Sequence, residues 1–211
     1  MSNLQWRIGD VRITRILEGE GKLPIAQLLP QATPDALARH RDWLAPHFID
    51  EQGHYLLSLH ALVIESSDLR IVVDTCVGEH KTPYGGALAL ETDSFLDKLA
   101  AAGFARETID YVLCTHLHVD HVGWNTMRTE QGWQPTFPNA RYLFARAEWE
   151  HWSAERNKES PFALGLDETI RPIIDAGLAE LVDGDHRINA DVRLIATPGH
   201  TPGHVSVLIP S

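Results

Sequence analysis

Three histidines and an aspartate lie close together in one short segment, Thr115-His116-Leu117-His118-Val119-Asp120-His121. Imidazole nitrogens and carboxylate oxygens are atoms that bind Zn²⁺ in proteins, at about 2.0–2.2 Å. His116 and His118 are two residues apart, so an extended or turning backbone lets both rings point to the same side. The alternative is a solvated polar turn, but the density of ligand-type residues favours a metal site.

Two further positions extend this cluster. Asp120 and His121 fall on the turn expected after the first pair, from which they can direct an oxygen and a nitrogen at a second, neighbouring point. A catalytic zinc site usually has three protein ligands and a water, so another ligand is needed. His200 offers it, because it follows a predicted strand in Thr197-Pro198-Gly199-His200, a turn shaped by proline and glycine. The sequence therefore predicts a site for one or two divalent ions.

The elements that must position these residues can be read from the apolar pattern. The segment 110–115 is short, almost entirely apolar and ends directly before the histidine cluster, as a strand covered on both faces would. A strand over 11–17 is expected to open the sheet, and strands over 60–65 and 69–74 are expected to form a hairpin. Further strands are predicted over 141–145, 178–182, 192–197 and 204–209.

Helices are predicted over 34–44, 92–102, 146–156 and 166–176. The rest of 19–53 and the segment 124–140 are rich in proline and glycine and are interpreted as loops. This mixed order of strands and helices indicates an α/β or α+β fold, with helices covering the faces of a sheet. No repeat or linker divides the chain, so one domain over 1–211 is expected.

The pattern H-x-H-x-D-H after a strand, followed at 197–204 by T-P-G-H-T-x-G-H, resembles the metallo-β-lactamase superfamily, which includes lactonases and glyoxalase II enzymes. The resemblance implies a four-layer αβ/βα sandwich, in which two sheets pack face to face, helices lie outside, and the metal centre sits at one edge. It also implies a zinc-dependent hydrolase, with iron and manganese as alternative metals, in which metal-activated hydroxide attacks the substrate.

Residue roles follow from the same resemblance. His116, His118 and His200 would bind one ion, while Asp120 and His121 would contribute to a second. Asp120 would also help to position the nucleophile. Asp74 matches a strand-end aspartate that orients the site from outside the ligand shell.

One part of the family pattern has no counterpart here. Relatives carry a metal-bridging aspartate and a further histidine after the second motif, and nothing up to Ser211 matches them. Asp183 and Asp185 precede His200 and are interpreted as a hairpin turn. His204 is interpreted as structural. We therefore expect the C-terminal part of the fold to be missing from this sequence.

Aromatic residues near the motifs have two interpretations. Trp149 and Trp152 are three apart on a predicted helix, a spacing typical of core packing. Trp124, Trp133 and Phe137 lie in the segment after the metal motif, where they could wall a substrate pocket or simply anchor a loop. The sequence leaves that choice open.

Hydrolysis of a small ester-like molecule is the favoured function, with a lactone such as an acyl-homoserine lactone as substrate. Thioesters, phosphotriesters and β-lactams stay open, because a fold does not choose its chemistry. Two other classes compete: a mononuclear iron dioxygenase acting on persulfides, and an inactive metal-binding fragment.

Composition limits the partners. Lys and Arg total 18 against 29 Asp and Glu, giving a formal charge of −11 that disfavours nucleic acid. No apolar run approaches the roughly 20 residues of a membrane-spanning helix, and no targeting segment is evident. Cys76 and Cys114 form no C-x-x-C pair, which suits a reducing cytoplasm. The sequence does not fix the oligomeric state, and a homodimer stays open.

Overall fold

The structure is a computed structural model that describes residues 3–24, 29–79, 81, 95–154 and 161–210. Its strands are β1 (Gln5–Ile8), β2 (Val11–Pro24), β3 (His54–Ser66), β4 (Leu69–Val73), β5 (Tyr111–Cys114), β6 (Thr126–Thr129), β7 (Gly132–Pro135), β8 (Arg141–Ala145), β9 (Ala179–Val182), β10 (Arg193–Ala196) and β11 (Val205–Leu208). Its helices are α1 (Pro34–Leu44), α2 (Phe95–Ala101), α3 (Val119–Val122), α4 (Arg146–Ala154), α5 (Pro161–Thr169) and α6 (Arg171–Asp175).

The main sheet has seven strands in the order β1-β2-β3-β4-β5-β8-β9. Strands β1 to β4 are antiparallel neighbours, whereas β4, β5, β8 and β9 run parallel. The carboxyl ends of these parallel strands therefore meet at one edge of the sheet. Ligand sites of α/β proteins typically lie at such an edge, and the histidine cluster follows β5 there.

Alternate side chains of the central strands face two different cores. Val112, Tyr142 and Phe144 pack with residues of α2, α5 and α6 on one face of the sheet. Leu113 and Leu143 point to the other face and pack against the two-stranded β10–β11 sheet. Helices, a large sheet and a small sheet thus form successive layers, and the predicted α/β sandwich is confirmed.

The first strands differ from the prediction. β1 precedes β2 and pairs with it, so the strand predicted over 11–17 does not open the sheet. β2 extends into the supposed loop over 19–53, and β3 begins at His54, before the strand predicted over 60–65. The two strands pair as far as Pro24 with His54, after a register shift between Leu17 and Gly19. Cross-strand pairing stabilises a long hairpin here, although glycine and proline individually disfavour a strand.

Two later segments also need correction. The predicted loop over 124–140 contains the β6–β7 hairpin. The helix predicted over 166–176 is two helices, α5 and α6, separated at Ile170, with Pro172 in the first turn of α6. Proline fits a helix start but interrupts a helix interior. β9 and β10 belong to different sheets, so the turn through Asp183 and Asp185 is not a hairpin turn.

The other helix predictions hold within the described residues. The first helix spans 34–44 as predicted, and the Thr33 hydroxyl accepts a hydrogen bond from the Ala36 amide as its N-cap. Residues 92–94 and 155–156 of two predicted helices lie outside the described residues. α4 covers the remainder of its prediction, and α2 ends at Ala101, one residue before the predicted end. Both cysteines are buried and free. Among the described helices, none has the length and apolar character needed to cross a membrane.

Candidate metal centre

The buried strand β5 delivers the first histidine directly. His116 follows Thr115 at the end of the strand, is only 3% exposed, and lies with its Nδ1 atom 3.0 Å from the Thr115 hydroxyl. His118 has extended backbone angles and caps the short helix α3. Asp120 and His121 therefore lie in a helical turn instead of the open turn that the sequence suggested, and the first two histidines lie on the extended stretch before it.

A third imidazole reaches this point from the loop between β10 and β11. The candidate ligand atoms of His116, His118 and His200 all lie within 4.8 Å of one another. Their ring centroids are 4.7–4.8 Å apart in each pair. His116 is buried, His118 half-buried and His200 exposed, so the cluster opens to solvent on one side.

The remaining sequence-predicted residues form a chain of hydrogen bonds beside this cluster. The Nδ1 atom of His121 donates to Asp74 Oδ2 at 2.8 Å, and its Nε2 atom lies 3.4 Å from Asp120 Oδ2. Asp74 also accepts from the backbone amide of Thr115 at 2.7 Å. The ring of His121 lies 4.0 Å from that of His116, which places this carboxylate–imidazole–carboxylate row next to the three histidines.

Protonation differs sharply between the two groups of histidines. Burial, assisted by the neighbouring imidazoles, lowers the pKa of His116 to about 2. Burial and His200 lower the pKa of His118 to about 4. For His121 the effect of burial is outweighed by hydrogen bonds to Asp120 and Asp74, which raise its pKa to about 10. At neutral pH His116 and His118 are thus uncharged and have the free lone pairs that metal ligation requires.

The hydrogen bonding of one buried nitrogen indicates whether these residues fit a metal ion. The Nε2 atom of His116 is buried and has no hydrogen-bond partner in the part of the chain that the structure describes, which is rare for a buried polar atom because the lost hydration is then uncompensated. An ion between the three imidazoles would fill that coordination position. Three imidazoles with one open side suit zinc in a catalytic site. The residues present therefore fit a divalent metal.

Several residues near the centre were not recognised from the sequence as part of it. The ring of His204 lies 5.0 Å from that of His116, and its repeated Gly-His pattern could have signalled this. The ring of Trp152 meets that of His118 edge-on at 5.4 Å. Glu148 is fully buried and accepts hydrogen bonds from both ligand-bearing loops. For Trp152 and Glu148 the sequence carries no local signal.

The aromatic residues divide between the two interpretations. Trp149 and Trp152 pack against the main core, as predicted. Trp124 and Phe137 are buried, and Trp124 stacks on Phe95 at 5.7 Å, so both anchor the segment instead of lining a pocket. Trp133 is half-buried, and the Lys81 ammonium lies 3.5 Å from the centre of its ring.

Comparison with known proteins gives consistent results. Residues 54–211 match the model of the metallo-beta-lactamase superfamily. An N-acyl homoserine lactonase of Bacillus sp. is 34% identical over 119 residues, covering 56% of this chain and 40% of the lactonase. One of Bacillus cereus is 29% identical over 165 residues, covering 72% and 58%. The chain thus spans about half the length of these curated relatives.

Solved structures show the same fold at lower identity. A probable metal-dependent hydrolase from Staphylococcus aureus has a TM-score of 0.77 at 22% identity and covers 98% of this chain and 71% of its own. AidC, a dizinc quorum-quenching lactonase, has a TM-score of 0.72 at 21% identity and covers 100% and 71%.

Proposed function

Because the chain belongs to the metallo-beta-lactamase superfamily, we propose that it is a zinc-dependent hydrolase of small ester-like molecules, with an N-acyl homoserine lactone as the favoured substrate. The convergence of three imidazoles around the Nε2 atom of His116, which has no hydrogen-bond partner among the described residues, carries the proposal. The lactonase names of the curated relatives support the choice of substrate.

The proposed ligands divide into two groups. His116, His118 and His200 would hold the first ion, and Asp120 with His121 would contribute to a second. A bound divalent ion supplies a water of lowered pKa and polarises the substrate carbonyl. Asp74 keeps the Nδ1 proton of His121 directed at its own carboxylate, so Nε2 is the nitrogen that would bind an ion, after it releases its proton.

Asp120 would orient the attacking water. Its pKa is lowered to about 2, because hydrogen bonding and charge from His121 outweigh the opposing effect of burial, so its carboxylate is ionised at neutral pH and accepts a hydrogen bond from water. Attack at the lactone carbonyl carbon breaks the bond to the ring oxygen. That oxygen then receives a proton, and the product is a hydroxy acid.

The shape and charge of the site suit a small molecule. Exposed His200 and half-buried His118 form the open side of the cluster, through which a carbonyl group can approach. The formal charge of −11 over the sequence disfavours a polyanionic substrate such as RNA or DNA.

The test combines metal content with lactone opening. We would measure zinc, iron and manganese per chain by elemental analysis, and the opening of N-hexanoyl homoserine lactone by acid release. His116→Ala and His200→Ala should lose both metal and activity. His186→Ala, a change at a half-buried histidine in the β9–β10 connection, is the matched control and should keep both.

The other outcomes separate the competing functions. Stoichiometric iron without lactone opening would favour a dioxygenase. Stoichiometric zinc, lost in the two variants but without hydrolysis of lactone, ester or thioester, would indicate a metal-binding fragment. Absence of any specifically bound metal in the purified chain would overturn the proposal.

A further inference from the structure

Glu148 lies in the first turn of α4, is 0% exposed, and touches both loops that carry the candidate ligands. Its Oε2 atom accepts from the backbone amide of Leu117 at 3.1 Å, and its Oε1 atom accepts from the amide of Gly203 at 2.8 Å. Leu117 stands between His116 and His118, and Gly203 follows His200 by three residues. One side chain thus connects two loops that are far apart in sequence.

We propose that Glu148 is a positioning residue that sets the distance between the His116–His118 pair and His200. This inference rests on the proposed function, since it assigns Glu148 a task at the same metal centre. A metal site requires its ligands to be held within a few tenths of an ångström. A side chain that accepts from both loops supplies such a constraint, because each bond holds one backbone amide at a fixed position relative to α4.

Trp152 extends the same connection to the ligand itself. Its indole Nε1 donates to Glu148 Oε2 at 2.9 Å, one helical turn further along α4. Its ring meets the ring of His118 edge-on. Glu148 therefore fixes the orientation of a side chain that packs against a ligand, in addition to the backbone of both loops.

Close packing shows that the second loop is pressed directly onto the start of α4. A Cβ atom at Gly203 would lie 2.3 Å from the Glu148 nitrogen and 2.7 Å from the Ala147 carbonyl carbon. Only glycine allows the loop to approach so closely that its amide reaches the carboxylate. Both residues of this contact are thus specific in type: position 148 provides the carboxylate, and position 203 has no side chain.

Glu148→Gln is the most direct test of the positioning role, because glutamine has the shape of the glutamate side chain but one acceptor oxygen fewer. An amide offers one oxygen and one NH₂ group, so at least one of the donors from Leu117, Gly203 and Trp152 would face another donor. We expect zinc affinity, measured by competition with a chromophoric chelator, to fall by about 10- to 100-fold. The visible spectrum of the cobalt-substituted protein should change as well.

Matched variants separate positioning from a general loss of stability. Glu150→Gln alters an exposed carboxylate two residues further along α4 and should leave the zinc affinity unchanged. Glu148→Asp keeps both acceptor oxygens on a side chain that is one methylene shorter. It should therefore fold even if Glu148→Gln does not, and it should bind zinc with intermediate affinity. Circular dichroism below the melting temperature checks that each variant is folded.

Hydrogen exchange of the Leu117 and Gly203 amides distinguishes this inference from the proposed function. Both amides should be protected in the parent chain, and at least one should lose protection in Glu148→Gln. If the parent chain binds no zinc, the proposed function fails while amide protection still tests the connection. If folded Glu148→Gln and Glu148→Asp both bind zinc as tightly as the parent, the positioning role is wrong although the metal site stands.

Discussion

His121 donates a hydrogen bond from Nδ1 to Asp74 Oδ2 over 2.8 Å, and this bond joins helix α3 to the residue that follows β4. The same carboxylate accepts from the amide and the hydroxyl of Thr115. Asp74 thereby fixes both the start of the histidine segment and the orientation of the His121 ring at its end. Its backbone has a φ of +55°, a conformation that aspartate and asparagine tolerate better than most residues.

Replacement of Asp74 should therefore destabilise the fold as well as the site. In Asp74→Ala the half-buried donors of Thr115 and His121 lose their acceptor, and we expect the free energy of unfolding to fall by about 1–3 kcal/mol. Asp74→Asn keeps one oxygen and the tolerance for positive φ, so its loss should be smaller. Urea denaturation of the three chains measures this order. Equal stability of Asp74→Ala and the parent would contradict it.

The cluster of candidate ligands could be predicted because the signals for it are local in the sequence. A short apolar strand ends directly before His116, and a turn with proline and glycine precedes His200. Neighbouring positions in the sequence fix the geometry in both cases. The strand-end position of Asp74 could be read in the same way, from the end of an apolar run.

The role of Glu148 could not be predicted, because its partners are distant and carry no side-chain signal. It accepts from backbone amides 31 and 55 residues away, and a single glutamate in a helix is usually exposed. The extension of β2 and β3 was missed for a related reason. The outer half of β2 contains Gly19, Gly21 and Pro24, and its pairing with β3 stabilises it.

Gly123 should tolerate no side chain. A Cβ atom there would lie 1.9 Å from the Val77 carbonyl carbon, because the turn after α3 packs on the loop after β4. We expect Gly123→Ala to lower the free energy of unfolding by about 1–3 kcal/mol or more through overpacking. Urea denaturation provides the measurement.

Gly21→Ala is the control for that experiment. Among the described residues, nothing lies within 4 Å of a Cβ atom at Gly21, which lies inside β2. Alanine should be neutral there or stabilising by about 0.5–1 kcal/mol, because it loses less conformational entropy on folding. A similar loss of stability in both variants would show that close packing is not the cause.

Glu18 should make stability depend on pH. It is buried on β2, and burial raises its pKa above the ordinary value of 4.5, although hydrogen bonds from the Val77 amide and the Trp124 indole oppose the shift. The folded chain therefore binds this proton more tightly than the unfolded chain. The resulting stabilisation is complete below pH 4.5 and is lost as the pH rises through the folded-state pKa.

Glu18→Gln has no titrating group at this position. Comparison of the parent with this variant therefore separates the effect of Glu18 from that of the other acidic groups. The free energy of unfolding of the parent, minus that of Glu18→Gln, should increase as the pH falls from 7 towards 4.5. Urea denaturation at several pH values gives the difference. A difference that is constant or decreases over this range would contradict the assigned effect of burial.

Removal of the metal should lower the melting temperature of the parent chain. An ion that binds only the folded state at a hundredfold excess over its Kd stabilises that state by about 2.7 kcal/mol. For a chain of this length each kcal/mol corresponds to roughly 2–4 °C, so a chelator should lower the melting temperature by roughly 5–11 °C. His116→Ala should show no such response, since it lacks a ligand, whereas His186→Ala should respond as the parent does. An unchanged melting temperature of the zinc-loaded parent after chelation would show that the three imidazoles hold no ion.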